Sequence, residues 1–158
     1  MLTALVIDDE ILNTEYLEAS LNFLGFEVYI AHDGDLAIDL CLKLLTFNKP
    51  IDIIFMDYSM PTMNGDECTI RLRKPLFDPI LKNTKIVGVT AHFDHETKDR
   101  CIKSGMTIVE KKPFNYADLQ RILKLFDLLT DKSKTPESRI SISAQYIVFE
   151  ELRESVSP

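Results

Sequence analysis

Five residues of this chain set a reactive side chain at the end of a short apolar run. Asp8 and Asp9 follow Ala4-Leu5-Val6-Ile7, Asp57 follows Ile51-Asp52-Ile53-Ile54-Phe55-Met56, Thr90 follows Ile86-Val87-Gly88-Val89, and Lys112 follows Thr107 to Lys111. If each run is a strand of one parallel sheet, all five sit at strand carboxyl ends. Those ends share the edge at which open α/β sheets bind ligands. Carboxylates brought together there repel one another and cannot all stay ionised without a counterion. Only oxygen donors are on offer, with neither a thiolate pair nor spaced histidines, so the fitting ion is a hard one such as Mg²⁺ rather than Zn²⁺. Lys112 adds a movable positive charge and Thr90 a hydroxyl donor. Such a set suits in-line phosphoryl transfer to a carboxylate, where the protein supplies positioning and charge neutralisation.

Each residue alone has an ordinary explanation. An Asp pair after a strand commonly caps a helix or faces solvent, Thr is favoured in strands, and a lysine before a proline is usually exposed in an extended dipeptide. Asp57 is harder to dismiss, because a carboxylate closing a buried run needs a partner or a task. What sets these residues apart is that all of them end strands of one series.

The elements that must hold them can be read from the period of the apolar residues. Ala4 to Ile7 is a strand, and a helix is expected from about Ile11 to Leu24, stopping at Gly25. Phe26 to Ile30 is the second strand. Asp33 caps a helix with the apolar stripe Ala37, Leu40, Cys41 and Leu44, and Ile51 to Met56 is the third strand. A weaker helix follows from Gly65 to about Arg73. The stretch Lys74 to Thr84, with Pro75 and Pro79, reads as an extended loop. Then come the strand Ile86 to Val89, a helix from Asp94 to Ser104 closed by Gly105, and a strand from Thr107 to about Lys111. Asn115 begins the strongest helix, with Leu119, Ile122, Leu123, Phe126 and Leu129 on one face.

Five strand-helix pairs predict an α/β fold, a doubly wound five-stranded parallel sheet with helices on both faces. The nearly continuous apolarity of the first, third and fourth strands fits burial on both sides, whereas the second strand suits an edge. The expected domain is 1–129, and 130–158 is a linker and C-terminal tail. That tail is polar through Arg139 and apolar again from Ile140 to Leu152, where strand and helix patterns compete.

At 158 residues and 46% hydrophobic content the chain fits one ordinary core plus an appendage. A net charge of -7 would repel a phosphate backbone or an anionic membrane, so nucleic acid and membrane are not expected partners. Cys41, Cys68 and Cys101 are isolated and form neither a disulfide framework nor a metal knuckle, which points to a reducing, cytoplasmic compartment. No run of about 18 apolar residues suggests a membrane span. No phosphate-binding glycine loop is present, so the chain is not a kinase by itself. His92 and His95 read as surface groups, although His92, two residues after Thr90, stands where it can tune the access of water.

The segments Val6-Ile7-Asp8-Asp9-Glu10, Met56-Asp57-Tyr58-Ser59-Met60-Pro61-Thr62-Met63-Asn64-Gly65, Val89-Thr90-Ala91 and Lys112-Pro113-Phe114 together resemble the receiver domain of two-component response regulators and hybrid histidine kinases. The resemblance covers about Leu2 to Leu129. It implies the flavodoxin-like strand order 2-1-3-4-5 and phosphorylation at Asp57. It also implies Mg²⁺ held by Asp9, Asp57 and the backbone carbonyl of Ser59, with Asp8 acting through water. Thr90 and Lys112 would bind the phosphoryl oxygens, with Lys112 rather than Lys111 because the family's lysine directly precedes the proline, and the Lys112-Pro113 bond would be cis.

The phosphoryl donor implied is a histidine kinase or histidine phosphotransfer protein, and the output is a protein bound at the face of the Asp94–Ser104 helix, the fifth strand and the final helix. One departure concerns readout: where the family usually has Tyr or Phe three residues before the lysine, this chain has Val109. Two other readings follow from the same residues. One is a phosphate-independent degenerate receiver acting as a protein-binding module. The other is an aspartyl-phosphate hydrolase of small phosphoesters, which would need an aspartate where this chain has Ser59. The tail from Ile140 to Leu152 is expected either to pack on the domain or to mediate self-association as a homodimer.

Overall fold

In the computed structural model, which describes residues 1–129, every residue of β1 (Thr3–Ile7) and β3 (Ile53–Asp57) is buried, as is β4 (Lys85–Thr90) after its first residue. A strand buried on both faces must lie inside a sheet. β2 (Glu27–Ala31) and β5 (Ile108–Lys111) are half-buried and form the two edges. All five strands are parallel, in the order β2-β1-β3-β4-β5, as the resemblance implied. The register decides what meets at the carboxyl edge. Ile7 pairs with Met56, Asp57 with Val89, and Thr90 with Lys111, so Asp8, Asp57, Thr90 and Lys112 all fall within two residues of the same level.

Among the described residues six α-helices accompany the strands: α1 (Ile11–Phe23), α2 (Gly34–Thr46), α3 (Gly65–Leu72), α4 (Asp78–Leu81), α5 (His95–Ser104) and, after the last strand, α6 (Tyr116–Leu125). Alternate strand residues point to opposite faces, and two cores result. Ala4, Val6, Ile53, Phe55, Val87 and Val89 pack against α1 and α6. Leu5, Ile7, Ile54, Met56 and Ile86 pack against α2, α3, α4 and α5. Helix starts follow the expected chemistry: Asp33 accepts from the Leu36 N–H at 2.8 Å and Asp94 from the Thr97 N–H at 2.8 Å. Asn115 and Asp118 bond each other's backbone N–H groups in a capping box.

Two expectations are corrected. Lys74 to Thr84 is not an extended loop: Pro75–Phe77 forms a 3₁₀ turn and Asp78–Leu81 the single-turn α4. Both prolines stand in a first turn, where the missing N–H would have had no helical partner, so they start these turns rather than break them. Phe77, Ile80 and Leu81 are buried beneath. Arg73 ties the segment down by donating to the carbonyls of Gly105, Leu81 and Thr84 at 3.1, 2.9 and 2.9 Å. Arg73→Ala removes three charge-assisted bonds at once and is expected to cost about 2 kcal/mol of stability, measured by urea unfolding.

The final helix is also shorter than its apolar stripe, ending at Leu125. Asp127 takes a left-handed φ of 56°, its N–H donates to the Lys124 carbonyl at 3.1 Å, and the Leu128 N–H donates to the Leu123 carbonyl at 2.8 Å. That is a Schellman ending, and Leu129 reaches the core from beyond it. The tail expectations, from Thr130 to Pro158, lie outside the described residues.

Candidate functional site

The β1 ladder ends at Ile7, and the chain turns straight into α1. Asp8 is held at this turn: its N–H donates to the Ala31 carbonyl at 3.2 Å, and its Oδ1 accepts from the Glu10 N–H at 2.9 Å. Asp8 is buried and Asp9 exposed. Asp57, the last residue of β3, is 5% exposed. Asp8, Asp9 and Asp57 each offer a carboxylate oxygen, and the three oxygens lie within 4.8 Å of one another. This is the convergence expected from the sequence, and its donor chemistry, all carboxylate and open to solvent on the Asp9 side, fits a hard divalent cation.

Lys112 is the cation that the protein itself supplies. Its N–H continues the ladder to the Thr90 carbonyl at 2.9 Å, and its Nζ lies 3.0 Å from Asp57 Oδ1 and 3.4 Å from Asp8 Oδ2. Lys111, its neighbour, is exposed, so of the two lysines it is Lys112 that the fold turns toward the carboxylates. The Lys112-Pro113 bond is cis. Burial opposes the charge on Lys112, but Asp8 and Asp57 outweigh it and raise its pKa. Asp57 goes the other way from an ordinary ion-paired carboxylate. Burial first, and the Asp8 charge second, push it up to about 7 against the pull of Lys112. One ammonium shared between two buried carboxylates does not compensate both.

The loop after Asp57 is set by Gly65. Its N–H donates to the Tyr58 carbonyl at 2.7 Å, while the Tyr58 N–H donates to the Val89 carbonyl at 3.2 Å. A Cβ at Gly65 would overlap the Asp57 carbonyl oxygen and crowd the Met56 side chain. Glycine is needed here for close approach of two backbones. Gly65→Ala must push the loop off Asp57 and is expected to cost about 2 kcal/mol of stability, read by urea unfolding. Ser59, two residues past Asp57, is exposed in this loop.

Thr90 is buried at the end of β4, but its hydroxyl is engaged with the following loop. It accepts from the His92 N–H at 3.0 Å and donates to the His92 carbonyl at 3.3 Å. The His92 backbone, rather than its exposed ring, therefore meets the site, and His95 starts α5 on the surface. Val109 is half-buried in β5, level with Gly88. Sequence reasoning missed Asn13, whose amide donates to Asp8 Oδ2 at 3.3 Å and to Glu10 Oε2 at 3.0 Å. It also missed His32, whose Nδ1 lies 3.4 Å from the Asp8 carbonyl. The signal for Asn13 was its place in the first turn of a helix that begins directly after an acidic pair.

Comparison with known proteins agrees with this edge. The sequence model described as "Response regulator receiver domain" matches residues 4–124. The chain is 34% identical over 130 residues to the sensor histidine kinase RcsC of Escherichia coli, covering 82% of this chain and 13% of that protein. It is 33% identical over 122 residues to the two-component response regulator 24 of Arabidopsis thaliana, covering 77% of this chain and 81% of that one. The structure of the chemotaxis response regulator CheY4 of Vibrio cholerae superposes with a TM-score of 0.70 at 29% identity, over 80% of this chain and 98% of that one. The chain thus spans about an eighth of RcsC and most of the plant regulator. Its sequence, its strand order and the carboxylate-lysine edge agree, and the chain belongs to the response regulator receiver domains, the phosphoacceptor signalling domains of two-component systems.

Proposed function

We propose that Asp57 of this chain accepts a phosphoryl group from a phosphohistidine on a histidine kinase or histidine phosphotransfer protein, and that the modified chain then changes its contacts with a downstream protein. What carries this reading is the meeting of Asp8, Asp9 and Asp57 within 4.8 Å together with Lys112 Nζ between Asp57 and Asp8. In the transfer, an ionised Asp57 oxygen forms the new bond to phosphorus as the phosphorus-nitrogen bond of the donor breaks, and the departing imidazole nitrogen keeps the electron pair and picks up a proton. The product is an acyl phosphate. No base is needed, because the nucleophile is a carboxylate.

Asp9, Asp57 and the Ser59 carbonyl would hold Mg²⁺ directly, and Asp8 through water. Mg²⁺, when bound, neutralises charge that builds on the phosphoryl oxygens. Lys112 already sits 3.0 Å from the accepting carboxylate and is placed to follow the negative charge onto the phosphoryl group. Because Asp57 is nearly buried, the donor must approach over the carboxyl edge of the sheet, where Asp9 and Ser59 are exposed.

Thr90 links capture to output. To donate its one hydroxyl hydrogen to a phosphoryl oxygen it must give up the His92 carbonyl. The loop it leaves carries Phe93, 39% exposed, with Lys98 Nζ of α5 stacked 4.4 Å from the ring centroid. A Thr90 that turns inward therefore disturbs α5 through residues 91–94, a route that does not require an aromatic residue at Val109. The face of α5, β5 and α6 is where a partner would read the change, in a cytoplasmic setting. Residues 1–129 would form the receiver unit, with 130–158 its linker and tail.

Beryllofluoride with Mg²⁺, a stand-in for the acyl phosphate, is expected to shift the amide NMR signals of Thr90, Phe93 and Lys112 in the wild-type chain and to leave the Asp57→Asn chain unchanged. A wild-type spectrum that does not respond overturns the reading.

A further inference from the structure

Both oxygens of Asp8 are held by the protein: Oδ1 by the Glu10 N–H at 2.9 Å, and Oδ2 by the Asn13 amide at 3.3 Å and Lys112 Nζ at 3.4 Å. Of these partners Lys112 is shared with Asp57, so its hold on Asp8 weakens whenever it is drawn further toward Asp57 or toward charge gathered there. The Asn13 hold does not. Asn13 stands in the first turn of α1, its side-chain nitrogen has one hydrogen for Asp8 and one for Glu10 Oε2 at 3.0 Å, and an amide has no charge to be titrated or attracted away. Asn13 also lines, with Asp8, Asp57 and Lys112, a cavity of about 30 Å³, a size that admits water.

Resting on the phosphoacceptor reading above, we propose that Asn13 is a positioning residue for the cation of this site, fixing the Asp8 carboxylate so that its oxygen and the water it holds stay aimed at the ion while Lys112 moves. Groups that orient a metal's ligands commonly change affinity by about 10- to 100-fold when removed. Asp8 keeps its Glu10 N–H bond in the absence of the amide, so the effect here lies at the lower end of that range. Alanine is a better helix former than asparagine, so Asn13→Ala retains α1.

The test is calorimetric titration of the 158-residue chain with MgCl₂ alone, wild type against Asn13→Ala, with the melting temperature of each in EDTA as control. Expected are unchanged melting in EDTA and Mg²⁺ affinity lower by about 10-fold in Asn13→Ala. Acetyl phosphate labelling of Asn13→Ala should recover to the wild-type rate once Mg²⁺ is saturating, which separates a residue that aims the ion from one that takes part in transfer. Wild-type Mg²⁺ binding with Asn13→Ala binding within twofold of it overturns the positioning role and leaves the phosphoacceptor reading standing. A wild-type chain that takes up no Mg²⁺ overturns both.

Discussion

Asp57→Asn is expected to raise the unfolding free energy of the metal-free protein at pH 8 by about 4 kcal/mol and, on the proposed function, to abolish phosphoryl uptake. The gain in stability follows from the burial and the Asp8 charge that push the Asp57 carboxyl up to about 7. Unfolded, the same carboxyl titrates near its ordinary value of about 3.9. Between those two values the folded protein holds a proton that the unfolded chain has released. The stability tied to that proton is fully present below about pH 4, declines as the pH rises, and is gone above about pH 7. Asparagine has nearly the same shape and no proton to lose. Urea unfolding of the two proteins in EDTA should therefore give similar values near pH 4 and diverge by pH 8, with the wild type the weaker. A difference that is the same at both pH values would mean that Asp57 does not carry this strain.

The second large effect is at Lys112. Lys112→Ala leaves Asp8 and Asp57 facing each other with no protein cation between them, and loss of one partner from a buried ion pair costs about 3–5 kcal/mol. The side chain of Lys112 is 22% exposed against 5% for Asp57, so some water reaches the gap, and a loss of about 3 kcal/mol at pH 8 is expected. The cost falls on the ionised carboxylates and should shrink as the pH is lowered and Asp57 protonates. It should also shrink in the Asp57→Asn background, where only Asp8 is left uncompensated, so the two substitutions are not additive. A double-mutant cycle by urea unfolding at pH 8 gives the coupling directly, and additive values would show that Lys112 does not stabilise Asp57.

Both expected effects come from charges buried together at one edge of the sheet. The same placement explains why the principal residues of the site could be read without a structure. Asp8, Asp9, Asp57, Thr90 and Lys112 interrupt runs of apolar residues, and in a parallel sheet the end of each run is also a place on one edge. Residues whose role depends on helix geometry were not visible in this way. Asn13 meets Asp8 only because the turn from β1 into α1 carries it back over the carboxylate. Likewise Gly65 looks like any glycine before a helix until the Asp57 carbonyl is seen beneath it.

Local sequence was ambiguous where one residue type serves two structures. Pro75 and Pro79 suit a loop and a first helical turn equally, and the burial of Phe77, Ile80 and Leu81 decides for the turn. Leu129 continues the period of the last helix in sequence, but Asp127 has already left it. The direction of the Thr90 hydroxyl was not legible at all, since it follows from the path of residues 91–94 rather than from β4. On the proposed function that direction bears on output, because a hydroxyl already tied to the loop can transmit its own displacement.

On the proposed function one carboxylate, Asp57, takes one phosphoryl group. Incubating the 158-residue chain with acetyl phosphate and Mg²⁺ and weighing the intact protein tests it most directly. Expected is a gain of a single phosphoryl mass in the wild type, lost when EDTA replaces Mg²⁺, absent in Asp57→Asn, and traced to Asp57 by borohydride reduction and peptide sequencing. A wild-type chain that gains no mass, or an Asp57→Asn chain that gains as much as the wild type, would contradict it.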